Sequence, residues 1–125
     1  MFKATKYSAI KTTVNGVKFD SKAEAEYYLF LKGLCDVEIL DLQPKIYLTT
    51  AKILYKPDFY VKDLITKESY YIDVKGMCTP VFMIKKRLWK AYRTERLLLV
   101  KKSGKTFKVM EDIKSATHHS TDDLP

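Results

Sequence analysis

Two short runs place acids where acids cost free energy. YKPDFY (55–60) sets Asp58 directly after Pro57, and YYIDVKG (70–76) sets Asp73 two residues before Lys75. Both runs are otherwise rich in Tyr, Val, Ile and Phe, the residues that suit a pleated, half-buried surface. A charge inside such a run must be solvated, paired or bound to a cation. Side chains alternate along a strand, so Tyr71, Asp73 and Lys75 share one face, and Asp58 shares a face with Tyr60. Pairing of the two runs as a hairpin brings Asp58 and Asp73 together. At about 5 Å two carboxylates repel by roughly 3 kcal/mol at an effective dielectric of about 20. Such a pair suits a shared proton or a divalent cation, and oxygen donors alone suit Mg²⁺ or Mn²⁺. Lys75 then points at whatever anion the cation holds. The competing reading is that both acids are solvated on a half-exposed sheet.

A third acid comes from SKAEAEYYLFLKGL (21–34), where Tyr27, Phe30, Leu31 and Leu34 recur at helical spacing behind a Ser21 N-cap. Glu24 belongs to the inward-leaning face with Tyr27, Tyr28 and Leu31, whereas Glu26 groups with Lys22, Leu29 and Gly33. Ser21-x-x-Glu24 also reads as a capping box, which would spend the Glu24 carboxylate on the backbone N–H of Ser21.

The elements that must position these residues follow in order. Val14-Asn15-Gly16-Val17 is a hairpin turn within residues 1–20. After the first helix come β-type runs at Val37–Leu42, Ile46–Thr50, Ile53–Val61 and Ser69–Lys75, with 62–68 as the turn between the last two. Thr79-Pro80 suits an N-cap followed by Pro at the first helical position. A second helix, 81–93, is expected to bury Val81, Ile84, Leu88 and Ala91 or Tyr92. ERLLLVKK (95–102) is a buried strand, and 107–115 is a strand or a short helix. Strand, helix and strand over 69–102 favour a parallel pair with a right-handed crossover. The expected fold is α/β, a mixed central sheet flanked by helices. One domain over 1–115 is expected, with a frayed tail at 116–125.

The chain has 125 residues, 46% hydrophobic and 30% charged, with a net charge of +8. A small basic domain suggests a polyanionic partner, most often nucleic acid. No apolar run reaches the roughly 18 residues of a membrane span. MFKATKYSAI lacks an apolar core, so no secretory leader and a cytoplasmic location are expected. Cys35 and Cys78 are far apart and read as reduced thiols. His118-His119 and the cysteines match no zinc spacing, and Met77, Met83 and Met110 read as core gap-fillers.

The set Glu24, Pro57-Asp58 and Asp73-Val74-Lys75, on a helix, a strand and the next strand, resembles the signature of the PD-(D/E)XK nuclease superfamily. The segments VKFDSKAEAEYY, LQPKIYL, YKPDFYV and YIDVKG, in that order over residues 14–100, look like a group of small phage and prophage proteins of that type. The resemblance implies a restriction-endonuclease-like αβββαβ core and a Mg²⁺- or Mn²⁺-dependent DNA endonuclease, phage-encoded and acting in the host cytoplasm. Asp58 and Asp73 would ligate the metal with the backbone carbonyl of Val74, and Glu24 directly or through water. Lys75 would orient the attacking water or neutralise developing charge. Whether Gln43 or Lys85 assists stays open.

On the second helix, Lys86, Lys90 and Arg93 form one basic stripe, and Lys85 lies nearer the apolar edge. These are the expected phosphate contacts, while Trp89 and Tyr92 read as packing residues more than as stacking platforms. A lone small domain favours DNA shape, such as junctions or flaps, over a specific site, and makes a homodimer an expectation. The rival readings are a non-catalytic nucleic-acid-binding module and a structural protein of a nucleoprotein or virion assembly.

Overall fold

The computed structural model describes residues 11–114. The expected tail at 116–125 and His118-His119 lie outside the described residues. Among the described residues the fold is mixed α/β, mostly β-sheet with two helices, and alternation along the strands sorts its core into two layers.

Strands β1 (Thr12–Val14) and β2 (Val17–Phe19) form the expected hairpin. Asn15 at φ 51° and Gly16 at φ 80° both take the left-handed conformation that a tight two-residue turn demands. Helix α1 (Lys22–Lys32) starts at Ser21, whose hydroxyl accepts from the Glu24 N–H at 3.0 Å. Strand β3 (Val37–Leu42) follows, then the small β4 (Ile46–Tyr47) and β5 (Leu54–Tyr55) pair. Next come β6 (Phe59–Asp63), β7 (Ser69–Val74), helix α2 (Pro80–Tyr92), β8 (Leu97–Ser103) and β9 (Thr106–Ile113). The undecided segment 107–115 is therefore strand over its described part.

The main sheet runs β3-β6-β7-β8-β9, with β7 and β8 parallel and every other pair antiparallel. Phe59, Val61, Ile72 and Val100 turn to one face and pack with Ala25, Tyr27, Tyr28 and Leu31 of α1. Tyr71, Leu97, Leu99 and Ile113 turn to the other and pack with Phe82 and Trp89 of α2 and Tyr55 of β5.

Three expectations are corrected. The run 53–61 is not one strand: it breaks between β5 and β6 around the buried Pro57, which has no N–H to give a ladder. Helix α2 buries Phe82 and Trp89, while Val81, Ile84 and Tyr92 are exposed. Two apolar stripes compete on this helix, and the one carrying the large rings wins because aromatics bury more area. Met77, Met83 and Met110 are also exposed rather than filling core gaps. Trp89 is fully enclosed, with its Nε1–H donating to the Glu95 carbonyl at 3.0 Å.

Candidate functional site

The β6–β7 register sets Phe59 opposite Ile72 and Tyr60 opposite Tyr71. One step further along the same ladder brings Asp58 opposite Asp73, on the face that carries the stacked Tyr60 and Tyr71 rings. The two carboxyls lie within hydrogen-bonding reach of each other. Asp58 Oδ2 also accepts from the Val74 N–H at 2.7 Å. Asp73 is buried. Burial, and then the charge of Asp73, push the Asp58 carboxyl well above its ordinary 3.8, with Glu24 adding to the rise.

Lys75 completes the strand motif. Its ammonium is 3.1 Å from Asp73 Oδ2 and sits over the Phe82 ring, 3.8 Å from the centroid. The phenol of Tyr55 donates to the same Asp73 oxygen. Burial, followed by the Asp73 charge, drives the Tyr55 phenol far above its ordinary range, so it stays a donor. The Tyr55 ring is fixed edge-on against Trp89, 5.8 Å between centroids.

Glu24 is buried at the start of α1, and its carboxylate is engaged by Gln43. Gln43 Nε2 donates to Glu24 Oε2 at 3.0 Å and to Asp20 Oδ2 at 3.2 Å, and Glu24 lies within hydrogen-bonding reach of Asp58. Burial raises the Glu24 carboxyl above its ordinary 4.5; the bonds from Gln43 and Asp58 oppose this, and the Asp20 and Asp73 charges add to it. Gln43 holds a left-handed backbone at φ 50°, and its N–H donates to the Asp58 carbonyl at 2.9 Å. A non-glycine residue in that conformation is strained, and here it turns the end of β3 toward the acids.

Glu24, Asp58, Asp73, Val74 and Lys75 are thus brought to one place. Among the described residues, no group of three or more His, Cys, Asp and Glu side chains has the arrangement of a metal cage. The oxygen-only pair of Asp58 and Asp73 still fits a cation of the Mg²⁺ type, which is bound through one or two carboxylates and keeps several waters.

The second helix does not join the site as a free basic stripe. Lys86 and Lys90 both reach Glu111, at 2.8 and 2.7 Å, and Arg93 pairs with Glu95 at 2.6 Å. Lys85 is half-buried and has no ion pair among the described residues. Tyr55, Phe82 and Asp20 escaped sequence reasoning. Tyr55 stands in the quoted YKPDFY run, but an unbroken strand would put it on the face opposite Asp58.

The fold and site define a mixed α/β protein with a pair of facing carboxyls, a lysine and a third acid at one end of its sheet. Its sequence matches, over residues 4–111, the model of a family described as proteins of unknown function (DUF1064), and the chain belongs to that family. No curated protein and no solved structure matches it. Among the described residues no helix is long and apolar enough to cross a membrane.

Proposed function

We propose that this chain is a metal-dependent phosphodiester hydrolase acting on DNA, with a core of the PD-(D/E)XK type. The observation that carries the reading is the placing of Asp58 opposite Asp73 at the end of the β6–β7 ladder, with Lys75 3.1 Å from Asp73. The order of α1, β3, β6, β7, α2 and β8 supports it, because that is the order the resemblance implies. The net charge of +8 supports a polyanionic substrate.

In this reading Asp58 and Asp73 would hold a Mg²⁺ or Mn²⁺ ion with the Val74 carbonyl, and Glu24 would hold it directly or through water. The ion, when bound, activates water and offsets charge on the phosphate. Tyr55 and Lys75 fix the orientation of Asp73 by converging on one of its oxygens. Phe82 holds the ammonium of Lys75 in a defined place, where it can orient a water or meet a phosphate oxygen. Gln43 keeps Glu24 directed at Asp58. Asp58 and Glu24 are raised above their ordinary values, so their carboxylates would be freer to hold a cation as pH rises through those raised values, and activity should rise with pH there.

The test is cleavage of labelled linear, flap and branched DNA with Mg²⁺, Mn²⁺ or EDTA, comparing the wild type with Asp73→Asn. Metal-dependent cutting lost in the variant supports the reading. Binding without cutting under every metal supports a non-catalytic DNA-binding module instead.

A further inference from the structure

The parallel ladder between β7 and β8 continues past Val74. The Tyr71 backbone N–H donates to the Arg96 carbonyl, and Tyr71 is registered with Leu97; the Lys75 backbone N–H donates to the Val100 carbonyl at 2.8 Å, so Lys75 is registered with Lys101. On the next strand Lys101 is paired with Lys108. Residues directly opposite one another share a face, and this face is the one on which Asp73 and Leu99 lie. Lys75, Lys101 and Lys108 therefore form a row across three strands, at about 4.8 Å per strand, that begins at the site and runs outward over the sheet.

The row is unusual for its surroundings. Lys101 and Lys108 are both exposed, and like charges directly opposite each other destabilise a sheet. Neighbouring lysines are partnered: Lys102 pairs with Glu26, and Lys86 and Lys90 share Glu111, which lies across from Leu99 on the same face. Neither Lys101 nor Lys108 has an ion pair among the described residues. An anion lying along the row would relieve the repulsion, and a phosphate backbone supplies repeated anions at close spacing.

We propose that Lys101 and Lys108 bind successive phosphates of the DNA strand next to the one held at Asp58, Asp73 and Lys75, making the β8–β9 hairpin the substrate track. This rests on the reading of the site as one that acts on DNA. It transfers the phosphate-binding role from Lys86, Lys90 and Arg93, whose head groups are already engaged by Glu111 and Glu95, to the edge hairpin.

The experiment compares Lys101→Gln/Lys108→Gln with a control of equal charge, Lys62→Gln/Lys67→Gln, at the opposite end of the sheet. Affinity for a fluorescein-labelled duplex and a flap DNA is read by anisotropy in EDTA across a salt series, and cleavage is read separately with Mg²⁺. The hairpin pair is expected to weaken binding about tenfold at moderate salt and to lower the salt slope by about 1.8, two phosphate contacts' worth. The control is expected to shift both much less. Melting of the hairpin variant is expected to be unchanged or higher, since a repulsion has been removed, which separates a lost contact from a lost fold. Equal losses in the two variants, with wild-type cleavage intact, overturn the track and leave the nuclease reading standing. A selective loss of binding without cleavage under any metal supports the track and overturns the nuclease reading. No DNA binding by the wild type overturns both.

Discussion

Tyr55 and Lys75 converge on a single oxygen of Asp73, the phenol by donating a hydrogen bond and the ammonium from 3.1 Å. The two donors come from different elements, one from the small β4–β5 pair and one from the end of the strand that carries Asp73 itself. An otherwise costly buried carboxylate is held in one orientation by this arrangement.

Replacing Tyr55 by Phe removes one of the two donors and leaves the ring packing against Trp89 in place. A loss of about 1–3 kcal/mol in unfolding free energy is expected, the range for stripping a partner from a buried acceptor. Urea denaturation at pH 7 measures it. Cleavage, where present, should fall less than in Asp73→Asn, because Lys75 still restrains the carboxylate.

Asp58→Asn should stabilise the cation-free protein at pH 7 while abolishing cleavage. Asn keeps an acceptor for the Val74 N–H and offers donors to Asp73 and Glu24. The folded state binds the Asp58 proton more tightly than the unfolded chain. Its favourable contribution is therefore complete below pH 3.8 and is lost as pH rises through the elevated folded value. A gain of about 1 kcal/mol corresponds to a rise in Tm of about 4 °C. Glu111 and Asp112, lowered by the Lys86 and Arg96 hydrogen bonds, act with the opposite sign. The difference between wild-type and variant Tm across a pH series isolates the Asp58 term, and that difference should vanish at acid pH.

Mg²⁺ or Mn²⁺ alone should raise the Tm of the wild type, since a ligand that binds only the folded state stabilises it by mass action. At a hundredfold excess over Kd this amounts to about 2.7 kcal/mol. Asp58→Asn and Asp73→Asn should lose the shift. Differential scanning fluorimetry with and without EDTA reads this independently of any DNA.

Gln43→Glu should destabilise at neutral pH, because it replaces the shared donor of Glu24 and Asp20 with a third carboxylate. The defect should shrink as pH falls and the carboxyls take up protons. Thermal melts at several pH values against the wild type measure it.

How far such features can be read from sequence depends on the range of the interaction. The meeting of Asp58 and Asp73 was legible because strand alternation and one hairpin register are local rules, and the inward lean of Glu24 followed from helical spacing. The part played by Tyr55 was hidden by Pro57, which breaks the alternation between residues 55 and 59. The buried face of α2 was misread because Val81, Ile84 and Tyr92 keep helical period as well as Phe82 and Trp89 do. What chose between them is packing against Tyr55 and Tyr71, far off in sequence. Lys86 and Lys90 looked free for the same reason, since Glu111 reaches α2 only through the β8–β9 pairing, whereas the partner of Arg93, Glu95, lies only two residues away.

The most direct measurement is cleavage of linear, flap and branched DNA by wild type and Asp73→Asn with Mg²⁺, Mn²⁺ or EDTA. The predicted result is cutting that needs the metal and disappears in the folded variant. Binding of DNA with no cutting under any metal, unchanged by Asp73→Asn, would contradict it.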